Sequence, residues 1–149
     1  MSHLPHIDII AVGKLKNSSH VYPAFTEYQN RLNPSVKIHE VIGHNQSDEL
    51  KKISQKIDPK SFIIALDETG KTLSSSQFAK EIETIQSTHT KIQFIIGGAD
   101  GLDDAIRQNA HLLLSFGKQT WPHMMVRVML IEQIYRTQQI LTGHPYHRE

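Results

Sequence analysis

Apolar positions along this chain fall into two kinds, short unbroken runs and helically spaced sets, and the two alternate almost from end to end. Ile7-Asp8-Ile9-Ile10-Ala11-Val12, closed by Gly13, is a run of the first kind and predicts a buried strand. From Ser18 to Leu32 the pattern changes, with Val21, Phe25, Tyr28 and Leu32 at helical spacing. A second strand is predicted over Val36 to Ile42, with Val36, Ile38 and Ile42 on one side. Leu50, Ile53 and Ile57 suggest a short helix before Asp58-Pro59, and Ser61 to Leu66 reads as a third strand. Ser74-Ser75-Ser76-Gln77 spells a Ser-x-x-Gln capping box, and the helix behind it carries Phe78, Ile82 and Ile85. Ile92 to Ile96 is a fourth strand, closed by Gly97-Gly98. A short helix to Asn109 then leads to a fifth strand over His111 to Phe116. Pro122 suits the first residue of a last helix that runs to Leu141, with Thr142-Gly143 as its stop.

Strands alternating with helices in this order predict an α/β fold: a mostly parallel sheet with helices on both faces. No linker, repeat or low-complexity segment interrupts it, so residues 1–149 are expected to form a single domain. In open sheets of this kind ligands bind beyond the carboxyl ends of the strands. Three such ends are rich in turn residues: Leu66-Asp67-Glu68-Thr69-Gly70-Lys71, Gly97-Gly98-Ala99-Asp100-Gly101, and Phe116-Gly117-Lys118-Gln119-Thr120-Trp121-Pro122-His123. Each is either an ordinary strand-to-helix turn or part of a site whose backbone reads a ligand. Neither a Gly-x-Gly-x-x-Gly fingerprint nor a Walker A loop is present, and Lys71-Thr72 lacks the upstream glycine that a phosphate loop needs. Asp103-Asp104 reads as the charged first turn of a helix, and Met124, Met125 and Met129 as packing.

Composition narrows the chemistry. With 149 residues, 38% hydrophobic and 21% charged, the chain has the makeup of a soluble globular protein with room for a core. The absence of cysteine excludes disulfides, zinc–thiolate sites and thiol nucleophiles. Ten histidines invite a metal, but Pro145 separates His144 from His147 and no His-Glu-x-x-His spacing occurs, so no metal is expected. No apolar run has transmembrane length and no signal-peptide core is visible, which makes the cytoplasm the expected location and a membrane an unexpected partner. The net charge is only +1, yet from Ala105 onward five basic residues face two acidic ones. That excess allows one basic face.

The chain's last residues, His144-Pro145-Tyr146-His147-Arg148-Glu149, bring two imidazoles, a phenol and a guanidinium together directly after the last helix. Imidazole moves protons near neutral pH, and arginine binds phosphate and planar anions. Such a tail is either a reactive or RNA-facing edge, or a solvated polar end.

Several of these stretches together resemble one family. Leu66-Asp67-Glu68-Thr69-Gly70-Lys71 with Leu73-Ser74-Ser75, Ile95-Ile96-Gly97-Gly98-Ala99-Asp100-Gly101-Leu102, and Trp121-Pro122-His123-Met124-Met125-Val126-Arg127-Val128 followed by Glu132-Gln133-Ile134-Tyr135-Arg136 are similar to the RlmH (YbeA-type) methyltransferases. So are Ala11-Val12-Gly13-Lys14-Leu15-Lys16 and the tail. The resemblance implies a SPOUT fold with a C-terminal trefoil knot, a homodimer, and S-adenosyl-L-methionine as methyl donor. It implies methylation of N3 of a pseudouridine in helix 69 of 23S rRNA, in assembled ribosomes. Carried over by position, the cofactor contacts are Leu66, Gly97, Phe116, Gly117, Lys118, Gln119, Thr120 and Trp121. Trp121 either covers the adenine or closes the core. His147 is the candidate base, Tyr146 a residue that orients the target ring, and Arg148 a binder of phosphate or of the developing imide anion. Arg127, Arg136 and His144 are candidates for RNA contact, and the nine-residue spacing of the two arginines is read as placing them on one helix face. Two alternatives remain: a catalytically silent ribosome-binding factor, and a SPOUT methyltransferase acting on tRNA.

Overall fold

A computed structural model describes residues 3–148, so Met1, Ser2 and Glu149, the last residue of the tail motif, lie outside the described residues. Five strands, β1 (His6–Val12), β2 (Lys37–Val41), β3 (Phe62–Thr72), β4 (Lys91–Ile96) and β5 (Leu112–Ser115), form one sheet in the order β2-β1-β4-β3-β5. All four pairings are parallel. Five helices alternate with them: α1 (Tyr22–Arg31), α2 (Gln46–Lys56), α3 (Ser75–Gln86), α4 (Asp104–Asn109) and α5 (His123–Leu141).

Side chains along β1 alternate between two cores. Ile7, Ile9 and Ala11 join Phe94, Ile64 and Leu114 under α1, α3 and α5. Ile10 and Val12 join Ile95, Ile63 and Ala65 under α2 and α4. Both faces are covered, which is why the strands read as unbroken apolar runs rather than as alternation. Leu130, Ile131 and Ile134 of α5 are almost wholly buried. Each such side chain contributes about 2 kcal/mol by leaving water. The α3 capping box forms as expected: Ser74 Oγ accepts from the Gln77 N–H, and the Gln77 side chain returns to the Ser74 N–H. Asp103 caps α4 through the Ile106 N–H.

Several boundaries differ from expectation by a residue, and three differences change the picture. β3 does not stop at Leu66; it continues to Thr72 across a register shift, pairing Lys71 with Leu114 and Thr72 with Ser115 of β5. The first of the three loops is therefore a bulged strand extension rather than a turn. α1 begins at Tyr22, four residues after Ser18, because Pro23 fits only its first turn. β2 ends at Val41, which is buried, so Ile42 lies beyond the strand and is 62% exposed instead of facing inward.

Candidate active site

The carboxyl end of β3, the turn after β4 and the turn after β5 come together around one cavity of about 610 Å³. That is an ordinary size for a small-molecule site. Leu66, Gly97, Phe116, Gly117, Gln119, Thr120 and Trp121 all line it. Lys118, expected among them, does not. The turn after β4 is closed by the Gly101 N–H donating to the Gly98 carbonyl at 3.0 Å. A Cβ on Gly97 would stand 2.9 Å from the Gly101 carbonyl carbon, so only glycine leaves this loop its shape. The turn after β5 is pinned by Ser115, whose Oγ donates to the Glu68 carbonyl at 3.2 Å. Thr120 Oγ1 meets Glu68 Oε2 at 3.3 Å, and the Trp121 indole N–H donates to the Phe116 carbonyl at 3.4 Å. Trp121 is 41% exposed at the cavity, so it does not close the core.

Charge in the lining is uneven. Asp67, Glu68 and Asp100 contribute carboxylates, and Arg107 is its one lysine or arginine among the described residues. A cavity with apolar walls, exposed loop backbone and an excess of negative charge suits a ligand that combines an apolar ring with positive charge. Asp67 adds a buried carboxylate oxygen that completes no hydrogen bond among the described residues, although it is in ion contact with Arg107.

At the far end of α5 the chain turns at Gly143, whose φ of +77° a side chain would resist, and runs back along the helix. The Tyr146 hydroxyl donates to Glu132 Oε1 at 3.1 Å, and its ring packs edge-on to Tyr135 with centroids 4.9 Å apart. The Arg136 guanidinium lies 4.9 Å from the Tyr146 ring centroid and forms an ion pair with Glu132 at 2.5 Å. Burial pushes the Tyr146 phenol well above its usual value, and the neighbouring Tyr28 and Glu132 side chains push it further. His147 sits between Arg136 Nη1, 3.1 Å from its Nδ1, and Ser76 Oγ, 3.4 Å from its Nε2. A guanidinium only donates, so Nδ1 is the acceptor and a neutral His147 carries its proton on Nε2. The expected RNA-facing residue His144 is exposed, as is Arg148.

A family model described as predicted SPOUT methyltransferase matches residues 6–147. A protein of Rhodospirillum centenum named ribosomal RNA large subunit methyltransferase H is 46% identical over 83% of this chain and 87% of its own length. One of the same name from Bradyrhizobium diazoefficiens is 40% identical over 95% and 98%. The chain belongs to the SPOUT methyltransferases, in the ribosomal RNA large subunit methyltransferase H family. A solved structure of a probable methylase family protein from Haemophilus influenzae Rd KW20 shares the fold, with a TM-score of 0.58 at 10% identity over 96% of this chain and 70% of that one.

Within this SPOUT chain the two expected groups of site residues stand apart. None of residues 144–148 lines the cavity. Glu132, where the tail docks, is nine residues along α5 from the cavity residue His123, roughly 14 Å of helix. The two arginines also part company. Nine residues are two and a half turns, which puts Arg127 and Arg136 on opposite sides rather than on one face. Arg127 is wholly buried: Nη1 pairs with Glu40 Oε2 at 2.6 Å, and Nη2 donates to the Val12 and Gly13 carbonyls at 3.1 and 2.7 Å. With both Nη atoms spent on those acceptors and its Nε buried, it is a strut between α5 and the ends of β1 and β2, and it offers RNA no surface. Sequence reading missed Asp67, Glu68, Asp100 and Arg107 as cavity residues. Their signal was available, since three of them fall inside the quoted loops, but charged residues in loops look like solvated turn residues.

Proposed function

We propose that this chain is an S-adenosyl-L-methionine-dependent methyltransferase that methylates N3 of a pseudouridine in helix 69 of 23S rRNA, in assembled ribosomes. The observation that carries the reading is the convergence of three separate strand ends on one acid-rich cavity, in a family whose relatives are named for large-subunit ribosomal RNA.

Leu66, Phe116 and Trp121 supply apolar wall for an adenine, and the backbone of the 116–121 turn supplies donors and acceptors for its edge. When bound, the cofactor supplies an electrophilic methyl group on a sulfonium. The protein's part is to hold the imide nitrogen beside that methyl and to take up the proton it releases. His147 is the group we assign to that proton. Docked as it is, its Nδ1 lone pair faces Arg136, so His147 serves as a base after Arg136 turns to an RNA phosphate. Tyr146 orients the target ring, Arg148 stabilises the developing anion, and Arg136 and His144 hold the phosphate backbone.

Because the tail rests away from its own cavity, a homodimer in which one copy's tail serves the other's cavity is part of this reading. A second cleft of about 690 Å³, lined by Tyr28, Leu73, Phe78, Val128 and Met129 between α1, α3 and α5, offers apolar surface for such a contact. It shares Leu114, Phe116 and Gly117 with the cofactor cavity. The knotted threading of the SPOUT fold belongs to the same proposal.

Labelled methyl transfer tests the substrate. Intact ribosomes lacking the modification are expected to take up label on the helix 69 pseudouridine, while free rRNA and bulk tRNA do not. Label on tRNA would overturn the substrate, and no label on any RNA despite cofactor binding would mark a silent ribosome-binding factor.

A further inference from the structure

The charges in the cofactor cavity form an arrangement of their own. Asp67 stands at the bulge of β3 with its side chain only 6% exposed. Its Oδ1 accepts from the Thr69 N–H and hydroxyl, both at 3.1 Å. Its Oδ2 lies 2.5 Å from Arg107 Nε, off the N–H direction, so that neither atom completes a hydrogen bond. Burial pushes the Asp67 carboxyl up, but the Thr69 groups and the Arg107 charge outweigh it and hold it below the ordinary carboxylate value. Asp67 is thus an anion held at Oδ1 by two donors, and the ion contact at Oδ2 sets the orientation of Arg107.

Arg107 has little else to bind within the chain. Its Nη1 reaches Asp104 Oδ1 at 3.1 Å, but that carboxylate is 85% exposed and such a contact is weak. Its Nη2 has no hydrogen-bond partner among the described residues. A guanidinium held along one edge and open along the other is suited to a planar anion.

Resting on the methyl-donor reading above, we propose that Arg107, oriented by Asp67, is the subsite for the α-carboxylate at the amino-acid end of S-adenosylmethionine. Charge matching supports the assignment. The cofactor carries one anion, its carboxylate, and two cations, its ammonium and sulfonium. The lining carries one arginine and three carboxylates, Asp67, Glu68 and Asp100. Pairing the single anion with the single guanidinium leaves Glu68 and Asp100 for the two cations, whereas setting the anion beside any of the three carboxylates brings like charges together. Arg107 therefore makes the site select the intact amino-acid tail, and Asp67 acts as its positioning residue.

The test needs no RNA. Calorimetric titrations compare S-adenosylhomocysteine with its decarboxylated analogue, which keeps the adenosine, the sulfur and the amine. The wild-type protein is expected to bind the first about tenfold more tightly, the worth of one charge-assisted hydrogen bond. Arg107→Met should remove that preference by weakening S-adenosylhomocysteine alone, and Arg107→Lys should restore part of it. Equal weakening of both ligands would reduce Arg107 to a structural strut and overturn the subsite. Unchanged affinities with impaired methylation of ribosomes would turn Arg107 toward RNA phosphate and overturn it as well. If the wild type binds neither compound, the methyl-donor reading fails and the subsite with it; tight binding of both without discrimination sinks the subsite alone.

Discussion

Arg127 carries a full charge into the interior because three acceptors meet it there: the Glu40 carboxylate and the carbonyls of Val12 and Gly13. Glu40 is fixed in turn by the Leu15 N–H at 2.6 Å. Removing the guanidinium would leave a half-buried carboxylate and two carbonyls without their donor. Arg127→Ala is therefore expected to cost about 3 kcal/mol of stability, read as a lowered urea midpoint; a loss below a few tenths would mean the network carries no load. The sequence could not announce this role. An arginine in a helix reads as surface, and its partner lies 87 residues earlier. The same limit hid the pairing of Asp67 with Arg107, whereas the three loops were legible because they follow apolar runs that identify strand ends, and the resemblance to the family singled out Leu66, Gly97 and the 116–121 turn within them.

At the level of elements, the strands were readable because two helical layers leave them no polar face, and α3 because its capping box is written in adjacent residues. The extension of β3 was not, since Asp67, Glu68 and Gly70 have low strand propensity and only pairing with β5 draws Lys71 and Thr72 into the sheet. The returning tail is likewise held by tertiary contacts, chiefly Tyr146 on Glu132 and Tyr135. Its phenol is raised, first by burial and then by Tyr28 and Glu132, so the folded state prefers the neutral form. The stability this contributes is complete below the ordinary phenol value of about 10 and falls as pH rises above it, because the unfolded chain then loses a proton that the folded chain keeps. Urea midpoints of wild type and Tyr146→Phe should accordingly converge between pH 8 and 11; a constant difference would place the phenol outside the docking contact.

For the whole molecule, the decisive arrangement is a separation. The cavity lies beyond the carboxyl ends of the strands, and the tail docks partway down α5 without lining it. Periodicity places the loops at strand ends and the tail after α5 but carries no information on which element of which copy approaches another. In the proposed dimer one copy's tail completes another copy's cavity, and mixing two inactive variants tests that arrangement. Gly97→Val blocks the cavity and His147→Ala disables the tail, so each alone should be inactive on ribosomes. Unfolded and refolded together, they are predicted to recover about a quarter of wild-type methyl transfer, the share from random pairing into two-fold dimers with one intact site in each mixed pair. No recovery from mixed dimers whose formation is verified would contradict a site shared between copies.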